Sequence, residues 1–143
     1  MRLTNYTMEE LECPKCGHKH SLKKYKVINV TEKAKLKEEV MKNRLFWFNC
    51  EECEYTAPLT YNSLYVDSQK SFMIYMAPIM DAEVKSEIAE LSQEKDVEKR
   101  LVDNIDDLKE KIMITSRMRI TRTAVFFFFF LSFFLAKISF AWL

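Results

Sequence analysis

Two short stretches decide the fold of this chain: CPKCG at residues 13–17 and CEEC at residues 50–53. Together they hold every cysteine of the 143 residues. Paired CxxC turns place four thiolates around one tetrahedral centre, which is the ligand set typical of a structural zinc site. The sequence therefore predicts one structural Zn²⁺ ion. Its predicted ligands are Cys13, Cys16, Cys50 and Cys53.

Two other chemistries of the cysteines stay open at this point. Iron accepts the same four-thiolate set, so the spacing alone does not separate the two metals. Thiol oxidoreductases also use CxxC pairs, but there the pair normally opens a helix, whereas strand and turn patterns surround both pairs here. A closed four-sulfur site leaves no coordination position for a catalytic water. We therefore expect the metal to stabilise the fold and the protein not to be an enzyme.

The residues after the first pair are Gly17, His18 and His20. The residue after the second cysteine of such a turn often has a positive φ angle, which glycine adopts without steric cost. A histidine could replace a cysteine ligand or contact one. Because four cysteines are already available, we expect both histidines to lie exposed on the strand that leaves the turn.

The pattern beyond the cysteines predicts an α+β fold with a small antiparallel sheet between residues 25 and 76. Residues 1–12 look like an amphipathic lead-in. Thr31 is a suitable N-cap for an inserted helix over residues 32–42, which interrupts the sheet. Pro58 indicates an edge strand, since proline donates no ladder hydrogen bond.

Residues 81–116 are predicted to form amphipathic helices. Val84, Ile88 and Leu91 recur at helical spacing, and so does a second apolar series. We expect these apolar faces to pack against the metal-binding domain. The second series consists of Leu101, Ile105, Leu108 and Ile112.

The C-terminal stretch Ala124–Leu143 is almost entirely apolar and includes five consecutive phenylalanines. Its length is sufficient to span a bilayer, and the arginines that precede it favour a cytoplasmic flank. The chain would then be anchored in the membrane by an apolar C-terminal helix. The alternative is that the Phe-rich tail is the product of a frameshift or truncation.

The net charge is +1, which suggests no polyanionic partner. Basic residues are nevertheless concentrated in residues 15–44, near an aromatic run at residues 46–48 that could stack on bases. A nucleic-acid-binding ribbon is therefore an alternative function, although not the favoured one. The first twelve residues lack the apolar core of a signal peptide, so we expect a cytoplasmic, reducing location for the N-terminal domain. In the nucleic-acid alternative, the residues expected to contact the nucleic acid are Lys19, Lys23, Lys24 and Lys26.

The cysteine turns and the segments that follow them resemble the CpXC domain family of prokaryotes, which is named for two Cys-Pro-X-Cys motifs. The likeness covers roughly residues 10–115. It implies a zinc-ribbon-like fold and implies no activity or substrate. The second pair departs from the motif because it lacks both the proline and the following glycine, which bears on the geometry of its turn. The matching segments include 13–17, 28–31, 44–50, 58–61, 64–67, 70–75 and 107–112.

These observations predict a zinc-ribbon-like domain over residues 1–80, a helical region over 81–116, and a basic flank with the apolar tail over 117–143. The favoured function is a non-catalytic zinc-binding module that mediates protein interaction or regulation. A nucleic-acid-binding ribbon and a CxxC thiol oxidoreductase are the alternatives. The identity of the protein partner and the oligomeric state do not follow from the sequence.

Overall fold

The computed structural model describes residues 2–117, and the elements below belong to that part of the chain. The architecture is α+β, as predicted. A five-stranded sheet has the order β1-β2-β5-β6-β7, and a two-stranded sheet pairs β3 with β4. The strands are β1 (Asn5–Glu12), β2 (Lys19–Asn29), β3 (Trp47–Asn49), β4 (Thr56–Pro58), β5 (Ser63–Asp67), β6 (Phe72–Met76) and β7 (Glu98–Val102). The helices are α1 (Lys35–Met41) and α2 (Ala82–Ser92), a 3₁₀ turn covers Ser68–Lys70, and residues 105–117 are also helical.

The prediction of an antiparallel sheet is wrong in two places, because the large sheet is mixed. Strand β2 runs parallel to β5, and β6 runs parallel to β7. Parallel neighbours need a long crossover connection. The chain supplies one crossover through α1 and the small sheet, and another through α2.

Residues 1–12, expected to be an amphipathic lead-in, contain the edge strand β1. This strand pairs antiparallel with β2 in a continuous register from Tyr6–Tyr25 to Glu12–Lys19. Its side chains are almost all exposed, so the sequence lacks the apolar alternation that would predict a strand here. The β1–β2 hairpin carries the first CxxC turn at its tip.

The inserted helix is shorter than predicted and lacks the predicted cap. The buried Asn29 accepts hydrogen bonds through Oδ1 from the backbone N–H groups of Thr31 and Glu32, at 2.9 and 3.1 Å. This side chain holds residues 31 and 32 in a turn, and helix α1 begins only at Lys35. Thr31 Oγ1 instead accepts a hydrogen bond from the backbone N–H of Ser68 at 2.8 Å.

Helix α2 matches the predicted apolar spacing. Asp81 is its N-cap, with Oδ1 accepting from the backbone N–H of Val84 at 2.9 Å. Val84 and Leu91 are buried against one face of the large sheet, and Ile88 is partly buried there. The sheet residues of this core are Leu64, Val66, Met73, Tyr75 and Ala77.

The second predicted helical series is wrong at its beginning, since Leu101 lies in β7 and is 53% exposed. The helical residues start at 105, where Asn104 Oδ1 accepts from the backbone N–H of Asp107 at 2.8 Å. The cap at Asn104 thus separates a strand from a helix, whereas the apolar spacing of residues 101–112 predicts one helix. Leu108 is buried, as predicted.

The chain divides into two units, Met1–Lys109 and Glu110–Leu143. The division at 1–80, 81–116 and 117–143 stays a prediction. In residues 2–117, no helix has both the length and the apolar character needed to cross a membrane. The predicted apolar C-terminal helix over Ala124–Leu143 lies outside the described residues.

Candidate metal centre

The first knuckle, residues 13–18, is the turn between β1 and β2. The backbone N–H of Gly17 donates to the carbonyl oxygen of Cys13 at 2.8 Å, and the N–H of Cys13 donates to the carbonyl of His18 at 2.8 Å. Gly17 has a φ of +74°. The predicted positive φ after Cys16 is therefore confirmed.

The second knuckle, residues 50–55, is the turn between β3 and β4, and it repeats the first. The backbone N–H of Glu54 donates to the carbonyl of Cys50 at 3.0 Å, and the N–H of Cys50 donates to the carbonyl of Tyr55 at 2.8 Å. Glu54 adopts a φ of +57°, in the left-handed region that glycine normally fills. The missing proline and glycine therefore do not change the path of the turn.

The two knuckles face each other and bring the four cysteine sulfurs together. All four Sγ atoms lie within 4.8 Å of one another. The Cys13–Cys53 and Cys16–Cys50 sulfur pairs are each 3.6 Å apart. A regular tetrahedron with Zn–S bonds of about 2.3 Å has sulfur–sulfur edges of about 3.8 Å. The described residues therefore offer a four-thiolate site of the correct size for a tetrahedral metal ion.

The site is buried on one side and open on the other. Cys13 and Cys50 are each 1% exposed and pack with Phe48, whereas Cys16 is exposed and Cys53 is half-buried. Apolar side chains of both hairpins surround the buried pair. These are Leu11, Leu22, Tyr55 and Leu59.

The pKa values of the thiols differ across the site. At Cys13, burial acts to raise the pKa, but the backbone N–H groups of Cys16 and Lys15 and the neighbouring thiols outweigh it and lower the pKa to about 7. At Cys53, burial raises the pKa to about 12, although the backbone N–H of Tyr55 acts in the opposite direction. In the absence of metal, Cys13 is thus the readier thiolate of the two.

For Cys16, the backbone N–H of His18 lowers the pKa, but burial and the hydrogen bonds of Cys50 and Cys13 outweigh it, so the pKa lies above its ordinary value. The backbone N–H groups that donate to the Cys16 and Cys53 thiols occupy equivalent positions, since each belongs to the residue two positions after the cysteine. Bringing four thiols together therefore favours some of them as neutral groups until a cation arrives.

The prediction that both histidines lie exposed holds for His18 and is wrong for His20. His20 is half-buried, with Nε2 3.2 Å from Cys50 Sγ. Its ring packs edge-on against Phe48, with 5.3 Å between the ring centroids. The alternation of side chains along β2 could have predicted this burial, because it places His20 on the same face of the hairpin as the apolar Leu22.

The lysines of the nucleic-acid alternative do not form one surface. Lys19 and Lys23 project from one face of β2, and Lys24 from the other. Lys24 Nζ is 2.7 Å from a carboxylate oxygen of Glu9 on β1. Lys26 lies at a bulge, where the register leaves it opposite no residue of β1.

The aromatic run does not form the stacking platform of the nucleic-acid alternative either. Phe46 and Phe48 are buried, at 2% and 1% exposure, and only Trp47 of the three is exposed, at 43%. Strand alternation accounts for this arrangement, since Trp47 points away from the face that its two neighbours share. A single exposed ring offers little of the stacking that single-stranded nucleic acid requires.

Comparison with known proteins gives one match. Residues 11–122 match the model of the CpXC family, described as CpXC protein, which confirms the resemblance drawn from the cysteine turns. No curated protein and no solved structure matches the chain.

Proposed function

This chain belongs to the CpXC family, and on that premise we propose that it is a non-catalytic module in which one structural zinc ion joins two knuckles. The observation that carries the proposal is the convergence of four cysteine sulfurs within 4.8 Å. Zinc is the ion most often held by four thiolates in this geometry, and such a closed site has no open position for a substrate.

The size of the small sheet supports a structural role for the ion. Strands β3 and β4 have three residues each and pair only with each other. A two-stranded hairpin of this kind is at best marginally stable in water. A metal ion that ties it to the β1–β2 hairpin would contribute folding energy directly.

The first experiment is a metal analysis of the purified full chain. We expect one zinc ion per chain by elemental analysis, and a cobalt-substituted protein with the absorption of a tetrahedral four-thiolate site. Cys53→Ser should lose the ion. Met8→Ser, which removes an exposed sulfur atom from strand β1 outside the two knuckles, should retain it. Absence of stoichiometric metal from the wild-type chain would remove the basis of the proposal, and bound iron would change the identity of the ion.

For the biological role, we propose contact with a protein partner. The exposed face of the β1–β2 hairpin supports this, because it combines apolar and charged groups. Tyr6 and Met8 are 41% and 56% exposed, and Lys23 Nζ lies 4.9 Å from the centroid of the Tyr6 ring. Mixed surfaces with exposed aromatic residues are typical of protein interfaces.

The charge distribution disfavours the nucleic-acid alternative. Strand β1 carries Glu9, Glu10 and Glu12, and its register places these glutamates opposite the lysine-rich strand β2. Titration of labelled single- and double-stranded oligonucleotides with the full chain at two salt concentrations tests this alternative. Salt-sensitive binding that is lost when Lys19, Lys23, Lys24 and Lys26 are replaced by glutamine would favour nucleic acid over protein.

The oxidoreductase alternative receives less support from the local structure. Both CxxC pairs lie in turns between strands and not at the first turn of a helix. The thiolate-stabilising field of a helix N-terminus is therefore missing. Turnover in a disulfide-reduction assay that Cys13→Ser abolishes while the fold persists would restore this alternative.

We also propose that the metal-binding part works in a reducing compartment, because thiolate ligands are lost where disulfides form. The proposals of a cytoplasmic location and of a membrane anchor rest on the sequence alone. Carbonate extraction of the full chain tests the anchor. Retention in the membrane pellet together with solubility in mild detergent would support it, whereas a detergent-insoluble aggregate would favour the frameshift or truncation.

A further inference from the structure

The contact between His20 and Cys50 links the two knuckles outside the sulfur cluster. His20 belongs to β2, next to the first knuckle, and Cys50 opens the second. The distance from Nε2 to Sγ is 3.2 Å. The imidazole is held in place by Phe48 on one side and by the edge of His18, with ring centroids at 5.3 and 4.8 Å. Its position is therefore fixed by packing as well as by the sulfur.

We propose that His20 donates a hydrogen bond through Nε2–H to the metal-bound Cys50 thiolate and thereby strengthens retention of the ion. This inference rests on the proposed function. A cysteine that binds a metal carries no proton, so at this contact only the imidazole can be the donor. Nε2 is then the ring nitrogen that carries the donated proton.

The charge of the site gives this donor its importance. Four thiolates around one divalent cation leave a net charge of −2, and donors aimed at the sulfurs spread that charge. The backbone supplies such donors in both knuckles, but the side-chain donor belongs to one side only. The residue four positions after Cys53 is Ala57, whereas His20 follows Cys16 by the same interval. The bond to Cys50 therefore makes the two knuckles unequal.

Two substitutions separate the hydrogen bond from the packing. His20→Phe keeps a ring against Phe48 and removes the donor, and His20→Gln restores an N–H group. Ser21→Ala is the matched control on the same strand, because Ser21 is exposed on the opposite face of β2 and the change leaves the contact to Cys50 in place. All variants are made in the full chain.

The first readout is zinc affinity, measured by competition with a chromophoric chelator at constant pH. We expect His20→Phe to lower the affinity roughly tenfold, the low end of what loss of such a partner costs at zinc sites. Ser21→Ala should match the wild type, and His20→Gln should recover part of the loss.

The second readout is the reduction potential of the iron-loaded protein, which a purely structural role would not move. Hydrogen bonds to the sulfurs stabilise the more negative, reduced state of the iron site, so His20→Phe should make the potential more negative. Unchanged affinity and potential in His20→Phe, with a wild-type chain that binds metal, would overturn the role of His20 alone. A wild-type chain without stoichiometric metal would overturn the proposed function as well.

Discussion

The two knuckles follow the same backbone path with different residues. In each, the first cysteine accepts an N–H from the residue four positions later and donates its own to the carbonyl five positions later. The first knuckle has Pro14 and Gly17 at its special positions, and the second has Glu51 and Glu54. The turn is thus specified by the hydrogen bonds and by the sulfurs that must meet. Proline and glycine lower its conformational cost and do not define it.

If the sulfurs unite the two knuckles, removal of one ligand should cost the same from either side. We expect Cys16→Ser and Cys53→Ser to lower the free energy of unfolding alike, each by several kcal/mol, since structural zinc contributes about 10–16 kcal/mol of apparent binding energy in small modules. Thermal unfolding followed by circular dichroism, with and without added zinc, measures this. Equal melting curves for the wild type and both variants would show that no metal joins the knuckles.

The pH dependence of metal binding should reveal where the knuckles differ. The pKa of Cys13 is lowered to about 7, and the pKa of Cys53 is raised to about 12. Near neutral pH, Cys53 and Cys16 keep their protons and must release them to the ion. We therefore expect zinc affinity to rise by about 100-fold or more per pH unit, because each proton released contributes a factor of about ten.

Calorimetric titrations of zinc in buffers of different ionisation enthalpy measure the number of protons released. Release of fewer than about two protons near pH 7 would contradict the raised pKa values of Cys16 and Cys53. The lowered pKa of Cys13 acts on the metal-free fold in the same direction as pH acts on zinc affinity, because it stabilises the fold at higher pH. It stabilises the fold above pH 9, and that contribution is lost as the pH falls through about 7.

The convergence of the four cysteines could be predicted from the sequence because CxxC spacing is a local constraint with few structural solutions. Gly17 was predictable for the same reason, since its positive φ follows from the turn. The positive φ of Glu54 was not predictable, because the surrounding hydrogen bonds stabilise it and the residue type does not indicate it. The resemblance of the whole chain to the CpXC family rested on many short segments, and the family match confirms it.

The long-range pairings were the part that sequence reasoning missed. Strand β1 is exposed on both faces, so it has no apolar alternation to detect. Strand β7 lies between α2 and the cap at Asn104, and its Leu101 fell by chance into helical register with Ile105 and Leu108. Strands β5 and β6, each of which has one parallel neighbour, are buried on both faces, so their sequences carry no alternation that would indicate strand direction.

Exchange of the residues with positive φ should sharpen the comparison between the knuckles. Gly17→Ala should lower the free energy of unfolding by about 1 kcal/mol, and Glu54→Gly should raise it by a similar amount, because a side chain in the left-handed region costs about 1–2 kcal/mol. A Cβ atom at Gly17 would meet Glu12 Oε1 at 3.6 Å, an ordinary contact, so the cost is one of backbone conformation.

Chemical denaturation of the zinc-loaded full chain measures both changes. Glu54→Ala is the matched control, because it removes the carboxylate and keeps the Cβ atom. Its stability should lie close to that of the wild type. If Glu54→Ala is as stabilising as Glu54→Gly, the repulsion of a carboxylate near the thiolates, and not the backbone, distinguishes the second knuckle.

The smallest effect is expected from the hydrogen bond between the Lys15 side chain and the second knuckle, at the exposed side of the site. Lys15 Nζ is 3.4 Å from the carbonyl oxygen of Cys53. An exposed bond of this length competes with water, so Lys15→Met, which keeps most of the side-chain stem, should change the free energy of unfolding by less than about 0.5 kcal/mol.

A loss as large as that from Gly17→Ala would mean that the ammonium offsets the negative charge of the four-thiolate site. In that case, the loss should shrink as salt is added, because salt screens exposed charges. The same variant would then bind zinc more weakly at low ionic strength, and the two knuckles would differ in charge as well as in turn residues.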